Sequence, residues 1–173
     1  MNMNMKKTPL LVLLSLFLFS ACDDVSLLSY DLDLKTAIIV IKQNADPNAT
    51  IELLSGPVNP ADEMDKKGVN KDLIKKSKVK SVTIKLLTPE TGNFDWAKEV
   101  SVYVTADGKS EKLIATTNDV PDGIQSLTVN TENVDLVDYL QDGIFNFKVV
   151  SINDQEIPVD HEAEVSAVIT VEL

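Results

Sequence analysis

The segment Val100-Ser101-Val102-Tyr103-Val104-Thr105-Ala106-Asp107-Gly108-Lys109 alternates apolar and polar residues until it reaches an Asp-Gly pair. This alternation is typical of a β-strand with one buried face, and Asp-Gly provides the positive φ that a tight hairpin turn requires. Residues 111–116 are suited to form the return strand. The centre of the chain therefore predicts an antiparallel β-hairpin.

Similar alternation on both sides of this hairpin predicts further strands. Counting from Leu34, we expect about seven strands in all, the others lying within residues 31–41, 82–86, 127–129, 145–149 and 165–171. Residues 36–41 are mostly apolar, so this strand end is predicted to be buried on both faces. The sequence therefore predicts an all-β fold, an antiparallel immunoglobulin-like β-sandwich with two short helices in its connections.

The two helices are predicted from capping and spacing. Asn70 is a suitable N-cap for a helix over residues 71–77, and apolar residues recur at helical spacing within residues 133–141. A long loop is expected over residues 43–69 because Pro, Gly and acidic residues are dense there. Within that loop, residues 51–54 could form a short strand, and a helical turn could form after position 60.

The N-terminal residues have the pattern of an export signal. Lys6 and Lys7 lead into an apolar run that ends in small residues. This order predicts a cleaved signal peptide over residues 1–21. A retained membrane anchor is the alternative, but the run is shorter than the roughly 20 residues that cross a bilayer. Residues 22–30 are then predicted to be a tether, and residues 31–173 the β-sandwich domain.

The end of this segment, Phe19-Ser20-Ala21-Cys22, resembles the lipobox of bacterial lipoproteins. In that family the cysteine thiol is acylated and the peptide is cut before it, which implies that Cys22 becomes a lipidated N-terminus held in a membrane. The resemblance implies a lipid-anchored protein of the bacterial cell envelope, at the outer membrane and facing the periplasm or the surface. Asp23 and Asp24 fit both inner-membrane retention and surface export, so the choice of membrane stays open.

Three stretches of the mature chain carry a second resemblance. They are a lysine-rich lead into a strand over residues 75–84, the hairpin over residues 100–115, and Val134-Asp135-Leu136-Val137-Asp138-Tyr139-Leu140 before the last two strands. In these patterns the chain is similar to the small, uncharacterised β-sandwich lipoproteins of the Bacteroidota. The patterns are not chemical signatures, so they imply a fold and a location but no activity.

The charge of the chain excludes some partners. The formal net charge is −11, and loss of residues 1–21 removes two lysines and no acids, which gives −13. Every basic residue is a lysine. We expect no binding of nucleic acid, which requires a basic face, and the same charge opposes docking on anionic lipid headgroups. With a single cysteine, an internal disulfide is also excluded.

Residue types that carry catalysis are scarce. His161 is the only histidine and is predicted to be solvated at the entry to a strand. One histidine and one cysteine are too few for a structural zinc site, and no Gly-x-Ser-x-Gly motif occurs. We therefore expect no enzyme activity, no metal and no cofactor. Paired carboxylates such as Asp31 and Asp33 leave a small carboxylate-based hydrolase as an alternative.

Phe94 and Trp96 are the candidate ligand-binding residues. They occupy alternate positions of a turn-rich connection and would project together from an extended chain. A lid over the core is the alternative role. The leading prediction is a lipid-anchored, non-enzymatic binding or assembly module that contacts the membrane through Cys22 and has a protein or glycan partner. A carbohydrate-contacting accessory module, the hydrolase, and a subunit of a strand-exchanging surface fibre are the alternatives.

Overall fold

The computed structural model describes residues 28–36 and 38–173. The predicted signal peptide, Cys22 and most of the predicted tether lie outside these residues. The described part contains nine strands: β1 (Ser29–Lys35), β2 (Ile39–Ile41), β3 (Thr50–Leu54), β4 (Lys76–Thr88), β5 (Ala97–Thr105), β6 (Lys112–Thr117), β7 (Ser126–Thr131), β8 (Asn146–Asn153) and β9 (His161–Glu172). It also contains helices α1 (Ala61–Lys67) and α2 (Val137–Asp142) and a 3₁₀ turn (Lys71–Leu73). No helix in this part is long and apolar enough to cross a membrane.

The strands form one curled antiparallel sheet in the order β1-β9-β4-β7-β6-β5-β8-β3, and β2 pairs with β9 beyond the end of β1. The all-β prediction is confirmed. The number of strands exceeds the predicted seven because residues 31–41 form two strands and residues 51–54 lie in β3, as the sequence suggested. The curl brings β2 close to β3, but these two strands do not pair.

The inward faces of the curled sheet form a single core. In β9, every second residue from His161 to Val171 is buried, which confirms the predicted inward positions from Val165 onward. The rings of Phe145 and Phe147 meet edge to face with centroids 5.6 Å apart. Each fully buried large apolar side chain contributes roughly 1.5–3 kcal/mol, so this core stabilises a chain that has no disulfide.

The edge strand β1 is covered by helix α1. Met64 of α1 is buried, and the Lys67 ammonium lies 3.2 Å from a carboxylate oxygen of Asp33 on β1. Lys80 of β4 reaches across the sheet to Asp31 of β1 at 2.6 Å. These contacts protect an edge strand whose unpaired backbone groups could otherwise pair with another chain.

The prediction that residues 36–41 are buried on both faces is wrong. Ile38 and Val40 are 56% and 44% exposed, because β2 lies at the sheet edge and only its inner face meets the core. The chain also leaves the strand between β1 and β2. There, Thr36 bonds to Val165 in place of the regular backbone pairing between strands. Its N–H donates to the Val165 carbonyl, and its hydroxyl accepts from the Val165 N–H.

The predicted helix over residues 71–77 is also wrong. Asn70 does cap a turn, since its side chain accepts from the Asp72 N–H at 3.0 Å, but that turn ends at Leu73. From Lys76 onward the chain pairs with β9, and this long-range ladder outweighs the local helical tendency. Helix α2 is shorter than the predicted helix over residues 133–141. The predicted loop over residues 43–69 contains β3 and α1. Strand β1 begins at Ser29, inside the predicted tether.

Candidate functional site

A cleft of about 320 Å³ opens at the end of the sheet where β9 begins. One wall is the β4–β5 connection and the other is the β8–β9 connection. The buried side chains of Trp96 and His161 form its floor, while Thr91, Gln155 and Glu156 are exposed at its rim. The cleft is therefore built from two connections that are about 60 residues apart in sequence, joined by the β4–β9 pairing.

The β4–β5 wall is held in place by its own hydrogen bonds. The Asn93 amide donates to the Asp95 carboxylate at 2.7 Å, and the Gly123 N–H donates to the other oxygen of Asp95. The Asp154 N–H donates to the Trp96 carbonyl at 3.2 Å, which joins this wall to the β8–β9 connection. These hydrogen bonds fix residues 93–96 at the base of this wall.

Gly92 lies directly against the imidazole of His161. A Cβ atom at position 92 would be 2.9 Å from His161 Nδ1, closer than real Cβ contacts allow, and 3.0 Å from the Pro89 carbonyl oxygen, which is tighter than most. The Gly92 N–H also donates to that carbonyl at 2.8 Å. Glycine is therefore required here by the close approach of the backbone to the histidine ring.

His161 is buried, at 3% exposure, and the prediction that it is solvated is wrong. As the first residue of β9 it has the inward parity of Ala163 and Val165, which places the ring in the core. Burial lowers the pKa of His161 below its ordinary value of 6.5, although the nearby Thr88 backbone and the Asp160 carboxylate oppose this shift. The ring is consequently neutral at neutral pH.

Three nitrogen atoms at the floor of the cleft make no hydrogen bond of normal geometry among the described residues, although the Thr88 backbone lies close enough to His161 to oppose the lowering of its pKa. They are Nδ1 and Nε2 of His161 and Nε1 of Trp96. Leaving a buried polar atom unpaired costs about 1–3 kcal/mol, so such groups in a folded protein call for an explanation. The floor therefore has unused hydrogen-bonding capacity.

Phe94 and Trp96 lie together, as their spacing suggested, with ring centroids 5.8 Å apart. Both are buried, at 2% and 4% exposure, so they form part of the core and present no open stacking face. Trp96 nevertheless lines the cleft. The connection that contains both residues therefore contributes a wall and part of the floor, rather than an aromatic platform.

A second cavity lies inside the curl, between the inner faces of β2 and β3. It is apolar and holds only about 20 Å³, roughly the space of one water molecule. Some Cα atoms of β2 and β3 lie within 8 Å of each other, whereas a strand placed between two others needs roughly 9.5 Å. The seam between β2 and β3 is thus too narrow to admit a further strand without opening.

The acidic pair on β1 is occupied by lysines. Asp31 accepts from the Lys80 ammonium and from the Thr170 hydroxyl, and these hydrogen bonds lower the pKa of its carboxyl. Asp33 accepts from Lys67. Within residues 28–36 and 38–173, no group of three or more His, Cys, Asp or Glu side chains is arranged to hold a metal ion. These carboxylates tie β1 to β4 and α1.

No protein-family model matches the chain, and no curated protein matches it with significance. Its sequence motif, its fold and the cleft are therefore the basis for a functional proposal.

Proposed function

We propose that this chain is a lipid-anchored protein of the bacterial cell envelope, in which the β domain serves as a non-enzymatic binding or assembly module. The anchor is supported by Phe19-Ser20-Ala21-Cys22, the lipobox-like motif. Even when fully extended, the chain from Cys22 to Ser29 spans at most about 25 Å. Acylation at Cys22 would thus hold the start of β1 close to the bilayer.

The position of the cleft along β9 is the observation that best supports the binding role. Ser29, where the domain begins, pairs with Glu172 at one end of β9, whereas His161 lies at the other end. Twelve strand residues extend over about 36 Å. The cleft therefore lies at the end of the domain that is remote from the proposed anchor, where a ligand or partner has free access.

The finer architecture is part of the same proposal. The strands β1, β2, β9, β4 and β7 make one half of the curled sheet and β6, β5, β8 and β3 the other, joined by a short pairing between β6 and β7. This division supports a sandwich of immunoglobulin-like type. It would accord with the proposed kinship to the small β-sandwich lipoproteins of the Bacteroidota.

A carbohydrate-contacting role is the second candidate, because the rim of the cleft combines the carboxylates of Asp95 and Glu156 with the amides of Asn93 and Gln155. The buried rings of Phe94 and Trp96 do not supply the stacking face that this role was expected to use. A carboxylate-based hydrolase is less well supported. General acid catalysis requires a carboxyl with a raised pKa. In contrast, the pKa values of Asp31, Glu63 and Asp160 are lowered by hydrogen bonds from lysine side chains.

The anchor is tested by labelling a native host with a radioactive or alkyne-bearing palmitate analogue. The wild-type chain is expected to take up the label and to begin at Cys22 by mass spectrometry, with the added mass on that residue. Cys22→Ala is expected to lose the label and to keep the signal peptide. Label that persists in Cys22→Ala, or a mature chain that starts elsewhere with a free thiol, would refute the anchor.

A further inference from the structure

We propose that the cleft binds a neutral, hydroxyl-rich ligand of the size of a sugar unit, an inference that deepens the binding role proposed above. The ligand would occupy the space between the β4–β5 and β8–β9 connections, over Trp96 and His161. Three features of the cleft favour such a ligand: the hydrogen-bonding capacity of its floor, the charge of its rim and its volume.

The floor of the cleft requires a ligand that both donates and accepts hydrogen bonds. The indole of Trp96 can only donate, while a neutral imidazole offers one donor and one acceptor. None of these three atoms makes a hydrogen bond of normal geometry in the described part of the chain. A hydroxyl group matches this set, because a single oxygen can accept from one nitrogen and donate to another.

The rim disfavours ligands that carry a negative charge. Asp95 and Glu156 are carboxylates and no lysine lines the cleft, so an anion would be repelled. An ammonium group would suit the carboxylates, but it has no lone pair with which to accept from Trp96 or His161. A neutral ligand with hydroxyl groups satisfies both the rim and the floor.

The volume of the cleft sets the size of the ligand. About 320 Å³ lies at the lower end of the range for small-molecule sites, roughly 300–1,000 Å³, and is sufficient for one or two sugar rings. All three nitrogen atoms are shielded from solvent, and Gly92 covers Nδ1 of His161, so a hydroxyl group reaches them only when the residues that line the cleft shift outward. Binding is therefore expected to change the environment of Trp96, which lies beneath.

The test uses Trp96 as an internal reporter, since it is the only tryptophan and gives one indole N–H resonance. The chain purified in detergent is titrated with D-glucose, D-galactose, D-mannose and N-acetyl-D-glucosamine, and separately with D-glucuronate. We expect at least one neutral sugar to shift the indole resonance saturably. We expect D-glucuronate, whose carboxylate is repelled by the rim, to bind at least about tenfold more weakly.

A matched pair of variants locates the site. Glu156→Ala removes an exposed rim carboxylate and should weaken the binding of the neutral sugar about three- to tenfold. Glu132→Ala removes an equally exposed carboxylate outside the cleft and should leave the affinity unchanged. No saturable shift with any neutral sugar, binding of D-glucuronate as tight as that of the neutral sugar, or equal effects of the two variants would overturn the proposal. The titration does not depend on Cys22, so its failure is distinguishable from failure of the anchor.

Discussion

The imidazole of His161 lies stacked on the indole of Trp96, with ring centroids 6.1 Å apart and 30° between the planes. Each is the only residue of its type in the chain. An imidazolium next to an indole quenches its fluorescence more strongly than a neutral imidazole does. The emission of Trp96 therefore reports the protonation of His161, which makes the buried pair directly measurable.

The stability of the fold should depend on pH through His161. Its pKa in the folded chain is lowered below 6.5 by burial, so the unfolded chain binds the proton more readily. The contribution of this group is complete above about pH 6.5 and is lost as the pH falls through the folded pKa. We expect the free energy of unfolding in urea to decrease between pH 7.5 and about pH 5, and the emission of Trp96 in the folded chain to fall only as the pH passes through the lower folded pKa.

The variant His161→Gln provides the control, since it keeps a polar side chain without a titration near neutral pH. Its free energy of unfolding should be nearly constant between pH 7.5 and about pH 5, because the carboxylates titrate mostly at lower pH. A chemical-shift titration of the His161 ring gives the folded pKa itself. A value at or above 6.5 would contradict the burial argument.

The close approach of Gly92 to His161 predicts a cost for any side chain at position 92. Gly92→Ala places a methyl group 2.9 Å from Nδ1 and 3.0 Å from the Pro89 carbonyl. We expect a loss of about 1–3 kcal/mol in the free energy of unfolding, typical of overpacking. Combining Gly92→Ala with His161→Ala should cost less than the sum of the two single changes. Strict additivity would show that the two residues do not contact each other.

Ser77 links β4 to the segment that precedes α2. Its hydroxyl donates to the Asp135 carboxylate at 2.6 Å and accepts from the Leu136 N–H at 2.6 Å. Ser77→Ala would leave that N–H unpaired, and we expect a loss of about 1–2 kcal/mol in urea unfolding. Ser81 is half-buried on the same strand, and its side chain makes no hydrogen bond with the described part of the chain, so Ser81→Ala should change stability by less than about 0.5 kcal/mol.

Much of the fold was predictable from the sequence because the strands have one buried face. The alternation in residues 165–171 correctly gave the inward side of β9, and the Asp-Gly pair correctly gave the turn between β5 and β6. The helix over residues 71–77 was predicted wrongly because the signal at Asn70 is local. The partner that holds Lys76 and Ser77 in a strand is β9, almost a hundred residues later.

The cleft could be predicted only in part. Extending the inward alternation of Val165 back to Ala163 and His161 would have indicated a buried histidine, but the position of His161 at the entry to a strand suggested solvent. The alternation of side-chain direction along a strand could not predict the burial of Trp96, because the connection before it is a series of turns and not a strand. The connection lies against residues 154–160 because of the register between β4 and β9. No local sequence pattern predicts this register.

The separation of inner and outer faces in β2 predicts unequal costs for neighbouring substitutions. Ile41 is 3% exposed and Val40 is 44% exposed. Ile41→Thr removes buried apolar groups and buries a hydroxyl, so we expect a loss of about 2–4 kcal/mol in the free energy of unfolding. Val40→Thr keeps a β-branched side chain at a partly exposed site and should cost less than about 0.5 kcal/mol. Similar losses in both variants, measured by urea unfolding at pH 7.5, would mean that β2 is covered on both faces, as its apolar sequence alone suggested.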